Sequence, residues 1–283
     1  MIVRARRHRL RVGDVVLFVL GIAATVLWLV PIVWLFVSSV KPEGEILTRT
    51  PELLPRHVIL DNYFTVFKQP VLKWFLNSLI VAVGGTILTL VVSATAGYAF
   101  ARFRFKGRQV LFSILLATLI VPFEVTMIPL YLLMSGLHLT GTLVAMILPD
   151  AASAVGVYIF RNFFFSFPRD LEDAAAIDGS GPWGTFWRVA LPLAVPSIVA
   201  VAILSFVGYW NAFLWPLLVS NADTTTMSLG IAAYRPGASS TGRSQAIGPG
   251  LAAATLLAAP TLLVFFALQR RFIEGVTTSG LKQ

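Results

Sequence analysis

The sequence predicts an all-α membrane protein: six transmembrane helices, with a pair of short cytoplasmic helices between spans four and five. Three observations carry this. Six apolar runs are each long enough to cross a bilayer, at about 20 residues per span. Only 12% of residues are charged and 57% are hydrophobic, with a mean hydropathy of +0.82, too little charge to cover a soluble surface. The 22 Lys and Arg lie mainly at the ends of those runs. Lipid offers the backbone no hydrogen-bond partner, so each span must satisfy itself, as a helix does. A transmembrane barrel would alternate apolar and polar residues, and these runs do not.

The first span, 15–38, follows a basic segment from Arg4 to Arg11. A signal peptide also begins this way. The apolar run here is too long for one, and no small-residue cleavage pattern closes it, so it reads as a retained span. The segment from Lys41 to Lys73 holds Pro42, Pro51, Pro55 and Pro70 and must be partly irregular. Spans two to four are expected at 76–101, 110–134 and 141–165. Gly84, Gly85 and Gly97 allow close packing in the second, and Pro122, Pro129 and Pro149 are placed to kink the third and fourth. Spans five and six are expected at 194–219 and 247–269, giving one transmembrane domain over 1–283. With the N-terminus inside, 15 of the 22 Lys and Arg fall on inside segments, Arg102, Arg104, Lys106 and Arg108 among them. Both termini are therefore expected in the cytoplasm. The net charge of +9 fixes topology and meets lipid headgroups; no basic folded domain remains to bind nucleic acid.

The inside segment 166–192 is too patterned for a linker. Pro168 suits a helix start, and Asp170, Glu172 and Asp173 suit its first turns. At 3.6 residues per turn, Phe167, Leu171, Ala174, Ala175 and Asp178 share one side, and Arg169, Glu172, Asp173 and Ala176 the other. Gly179-Ser180-Gly181-Pro182 stops that helix. A second one places Trp183, Phe186, Trp187 and Ala190 on one face, and Leu191-Pro192 ends it. Such a pair either packs on its own spans as an ordinary interfacial element or fills a groove on a partner.

Asp173-Ala174-Ala175-Ala176-Ile177-Asp178-Gly179, then nine residues, then Val189-Ala190-Leu191-Pro192, resembles the EAA signature of binding-protein-dependent ABC importer permeases. Asp173 stands for Glu, Ser180 for Ala and Val189 for Ile. Asp61-Asn62-Tyr63, Asn77-Ser78-Leu79, Trp210 to Leu217 and Glu274 to Lys282 resemble the carbohydrate-uptake branch, closest to the maltose permease G-subunit group. The resemblance implies that Glu172, Asp173, Ala174, Ala175, Asp178, Gly179, Leu191 and Pro192 belong to a coupling loop that docks on an ATPase. It implies a cytoplasmic ATPase dimer carrying ATP and Mg, a second permease subunit and an extracytoplasmic solute-binding protein, in the bacterial inner membrane. The function implied is translocation of a sugar or related polar solute by alternating access.

This chain has no G-x-x-x-x-G-K-[ST] loop, so energy must come from a partner or an ion gradient. Glu124, Asp150 and Asn211 fall inside predicted spans, where a lone charge is costly and each must face protein or water. With Tyr209 and Trp210 they are candidates for the translocation path, since carboxylates and amides pair with sugar hydroxyls and an aromatic face covers a ring; helix-to-helix packing is the competing role. An ion-coupled transporter using Glu124 and Asp150 is the alternative, but it leaves the helix pair unexplained. Cys is absent, and His8, His57 and His138 are scattered. Neither a metal site nor a membrane hydrolase can be built from them, so no enzyme and no cofactor in this chain is expected.

Overall fold

The computed structural model describes residues 12–48, 52–234 and 247–280. In chain order these form α1 (Val12–Ser38), α2 (Glu43–Ile46), α3 (Asp61–Phe67), α4 (Val71–Arg102) and α5 (Arg108–Ala117). Then come α6 (Phe123–Gly136), α7 (Leu143–Ala151), α8 (Ala154–Ser166), α9 (Arg169–Ile177) and α10 (Pro182–Thr185). A π turn (Phe186–Ala190) leads into α11 (Leu191–Leu193), α12 (Val195–Asn211), α13 (Leu214–Val219), α14 (Met227–Ile231) and α15 (Ile247–Gly280). No strand occurs among the described residues.

Three stretches cross the length test for a membrane unbroken: Gly13–Ser38, Val71–Arg102 and Ile247–Ala267. The other three expected spans are broken. α5 and α6 meet at 106°, α7 and α8 at 45°, and the segment 182–193 meets α12 at 77°. Pro122 stands at the sharpest break, as the residue before α6. Pro129 and Pro149 instead lie inside α6 and α7, and the chain bends after them, where Ser153 Oγ accepts from Gly156 N at 3.1 Å and starts α8. Span five was expected to run through 219. It stops at Asn211, and α13 is a separate short helix.

Two compact units are present: 1–69 with 234–256, and 70–233 with 257–283. In the first, Asn62 Nδ2 donates to the carbonyls of Ser39 and Lys41, each at 2.9 Å. Lys41 is fully buried, its Nζ donating to Glu52 O at 2.5 Å with the Trp34 ring centroid 4.8 Å away. The Glu43 carboxylate accepts from the backbone N–H of Ile247 and Gly248, at 2.7 and 3.0 Å. It thereby caps the start of α15, where an acidic group meets the positive end of the helix dipole.

In the second unit α4 is the axis, packed on α7, α8 and α12. Its glycines let the neighbours in. A Cβ on Gly97 would stand 2.6 Å from Phe160 Cβ and 2.9 Å from Arg161 N, and one on Gly85 would meet the Tyr209 ring. Gly84 is looser, facing only Ile147 Cδ1 at 3.3 Å. Gly97→Ala therefore forces α4 and α8 apart and should cost about 1–3 kcal/mol. Thermal unfolding of the detergent-purified chain reads this as a lower Tm. Gly136→Ala, which meets open space, should not lower it. At the far end of α4, Lys73 Nζ lies 2.6 Å from Asp223 Oδ1, and Asn77 Nδ2 donates to Asp223 O and Thr225 O. The hydrogen bond from Lys73 holds the Asp223 carboxyl below its ordinary range.

Candidate functional site

The segment 166–192 folds as two short helices. α9 ends as the sequence expects: Ser180 N donates to Ala175 O and Gly179 N to Ala176 O, with Gly179 at φ 80. This is a Schellman closure, and its left-handed residue suits glycine. Pro168 is the N-cap of α9 rather than its first residue. Leu191-Pro192 does not end the second helix. Pro192 sits in the first turn of α11, where its missing N–H costs nothing, and the chain turns at Ala194.

The inward face of α9 differs from the apolar side drawn from the sequence. Ala175 is buried, but Ala174 and Asp178 are exposed. Glu172, expected on the outer side, turns inward because a cation waits there. Arg102 Nε lies 3.0 Å from Glu172 Oε1, and these side chains are only 10% and 20% exposed. Tyr98 Oη donates to the same oxygen at 3.3 Å, and Arg102 Nη2 donates to Phe167 O at 2.5 Å. Tyr98 and Arg102, one turn apart at the end of α4, thus grip the start of α9. In the second helix the aromatic face is split. Phe186 and Ala190 are buried with Tyr98, Phe160 and Phe164 in one core, while Trp183 and Trp187 stay exposed. The π turn widens the helix there, so the 3.6-residue spacing no longer holds. Ala174, Ile177, Asp178, Trp183 and Trp187 are left on the open surface, and Ile177 is 87% exposed.

The polar residues of the expected spans sit at helix breaks. Glu124 is in the first turn of α6, Asp150 near the end of α7, and Asn211 is the last residue of α12. A cavity of about 680 Å3 opens among α6, α7, α8 and α12. Asp150 and Tyr209 line it together with Thr118, Thr126, Ser153 and Ser205, in an otherwise apolar wall. Tyr209 Oη donates to Ile147 O at 3.0 Å, which fixes its ring at the rim. Glu124 and Asn211 are exposed outside this lining. Trp210 is a packing residue here, not a lining one: it is fully buried, its ring stacked on Phe206, its Nε1 donating to Leu257 O at 2.8 Å. One helical position, about 100° of rotation, separates Tyr209 from Trp210, and here it turns the indole into the core beside Phe206 and Leu257.

Sequence reasoning missed Arg102 and Tyr98 as partners of Glu172, because Arg102 read as one more interfacial charge. It also missed the hydroxyls of Thr118, Thr126, Ser153 and Ser205, which no pattern distinguishes from other Ser and Thr.

A family model described as "Binding-protein-dependent transport system inner membrane component" matches residues 90–278. The chain is 36% identical to the arabinooligosaccharides transport system permease protein AraQ of Halalkalibacterium halodurans, over 89% of this chain and 90% of that one. It is 38% identical to the diacetylchitobiose uptake system permease protein NgcG of Streptomyces coelicolor, over 91% and 86%. It is 34% identical to the lactose transport system permease protein LacG of Rhizobium radiobacter, over 96% and 97%. Among solved structures, a chain of a bacterial ABC transporter involved in import of the acidic polysaccharide alginate superposes with a TM-score of 0.79 at 23% identity, over 96% of this chain and 100% of that one. That likeness is one of fold.

Proposed function

Because the chain belongs to the family of binding-protein-dependent transport system inner membrane components, we propose that it crosses the membrane six times with both termini in the cytoplasm, pairs with a second permease subunit and couples to an ATPase dimer through its 166–192 loop. It is a multi-pass permease subunit of a sugar-type ABC importer, and its relatives are transport subunits rather than enzymes. ATP and Mg belong to the partner ATPase, and an extracytoplasmic binding protein delivers the solute. The relatives lend nothing to an ion-coupled mechanism.

One observation carries the coupling reading. The loop is clamped to α4 by Arg102, Tyr98 and Phe186 on one side and leaves an apolar and acidic surface open on the other. An element fixed to a long span and bare outward suits the passing of force from a docked partner. Six spans follow if α5 with α6 and α7 with α8 each cross once and α12 crosses alone, beyond its 77° bend from the loop. Broken helices with polar residues at the breaks are what a transport path in lipid requires, since their free backbone groups must face protein or water.

The solute path is assigned to the cavity beside Asp150 and Tyr209. A wall mixing apolar surface, one carboxylate and several hydroxyls suits a sugar, and its volume falls in the range of small-molecule sites. Purification of the tagged chain in mild detergent should bring with it an ATPase, a related permease and a solute-binding protein; recovery of the chain alone, transporting on an ion gradient, would overturn the assignment. Asp150→Ala should cut uptake of the solute carried by that binding protein about ten-fold, the loss of one charge-assisted hydrogen bond. Asn211→Ala, outside the cavity, should change it far less.

A further inference from the structure

The turn from α4 to α5 borders a second, open cavity of about 780 Å3. Its lining includes Arg102, Arg104, Lys106, Arg108 and Arg169 and no carboxylate. Arg102 is engaged by Glu172, and Arg108 Nη1 donates to Phe103 O at 3.3 Å. Among the described residues no acidic side chain forms an ion pair with Arg104, Lys106 or Arg169. Three cations thus border one space with no ion-pair partner among the described residues.

A helix start opens into the same space. α5 is N-capped by Gly107, at φ 81, which offers no side chain to its first turn; Arg108 N donates to Phe105 O, the N–H groups of Gln109 and Val110 have no side-chain cap, and the turn holds no acid. Uncapped N–H groups and the positive end of the dipole favour an anion, as the cations do. The surface beside the cavity is apolar. Val110 closes the lining, and Val110, Leu111 and Ile114, spaced three and four apart on α5, are 62%, 50% and 57% exposed. A free phosphate would use only the cations. A molecule anionic at one end and apolar at the other would use both surfaces, and the ends of membrane-spanning segments are where such molecules lie.

We propose that this cavity binds the headgroup of an anionic phospholipid, whose acyl chain lies along α5 over Val110, Leu111 and Ile114. Because Arg169 is the first residue of α9, a bound headgroup touches the coupling loop and the α4–α5 turn at once. Lipid charge then acts on the element that receives the ATPase.

The test uses the full-length chain in neutral detergent, titrated with dioleoyl phosphatidylglycerol, dioleoyl phosphatidylcholine or inorganic phosphate and read by native mass spectrometry. Phosphatidylglycerol should bind at least about ten-fold more tightly than phosphatidylcholine, which shares its tails. At about five-fold per cation, the variant Arg104→Gln/Lys106→Gln/Arg169→Gln should lose on the order of a hundred-fold. Should that variant not fold, Lys106→Gln alone should lose about five-fold. A charge-matched control, Arg270→Gln/Arg271→Gln/Lys282→Gln, should bind phosphatidylglycerol as the unaltered chain does. Equal losses in variant and control would mean diffuse attraction and overturn the site. Displacement of phosphatidylglycerol by millimolar inorganic phosphate would make it a free-anion site and overturn the lipid assignment. No step of the measurement involves transport or the ATPase, so its outcome is separate from that of the coupling reading.

Discussion

Ala174→Arg/Ile177→Glu should strip the ATPase from the purified transporter by more than about ten-fold while the chain still reaches the membrane at normal yield. The two residues lie on the open surface of α9, Ile177 with 87% of its area exposed, so neither change disturbs the chain's own packing. Isoleucine presented to water has no role in holding α9 down. It suits a desolvated contact, and a carboxylate there would be buried without a partner on docking, a loss of 2 kcal/mol or more being typical of such positions (about thirty-fold). Ala175→Leu is the contrast. Ala175 is 7% exposed and faces inward, so the larger side chain should lower the Tm, by overpacking. ATPase recovery measured by densitometry separates the two faces. Undiminished ATPase recovery with the double variant would remove α9 as the docking element.

Arg102→Ala should destabilise the chain by about 3 kcal/mol, as a lower Tm in detergent and faster protease cleavage between Pro168 and Ser180. The guanidinium serves two partners, Glu172 and the Phe167 carbonyl, and its removal leaves a largely buried carboxylate without its counter-charge, held only by the Tyr98 hydroxyl. The 20% exposure of Glu172 lets some water reach it, which places the cost at the low end for broken buried pairs. Arg102→Leu/Glu172→Leu should recover most of the loss, because a pair replaced by apolar groups of similar size strands no charge. A double variant as unstable as the single one would mean that Arg102 acts through packing alone.

How far the sequence could be read depended on what kind of signal each element leaves. α1, α4 and α15 are continuous and apolar, so hydropathy located them and erred only at their ends. The break before α6 was legible in Pro122. The bend in span four was expected at Pro149, but it falls at Ala152-Ser153 and depends on the Ser153 cap. The end of α12 at Asn211 did not show in the hydropathy, which continues through Leu214 to Val219. Hydropathy reports the solvent of a segment and is blind to its direction. In the loop, the Gly179 stop was legible because few residues accept a left-handed backbone. The facing of Glu172 was not, since it is decided by Arg102 and Tyr98, more than 65 residues away in sequence, and no local period records a distant charge. Of the path candidates, Asp150 and Tyr209 meet at one cavity. Trp210, read beside them in the sequence, is fully buried against Phe206 and the Leu257 carbonyl.

α4 runs 32 residues with no proline and no break, about 48 Å of straight helix. Its Arg102 end holds the loop, and its Lys73 and Asn77 end holds the 223–225 segment. On the proposed coupling it is a pushrod: a tilt of about 5° imposed at one end of a helix this long would move the other by about 4 Å. That stroke is larger than a hydrogen bond is long, so under that coupling a small shift at the loop would be enough to unlatch the far segment without any change inside the rod itself.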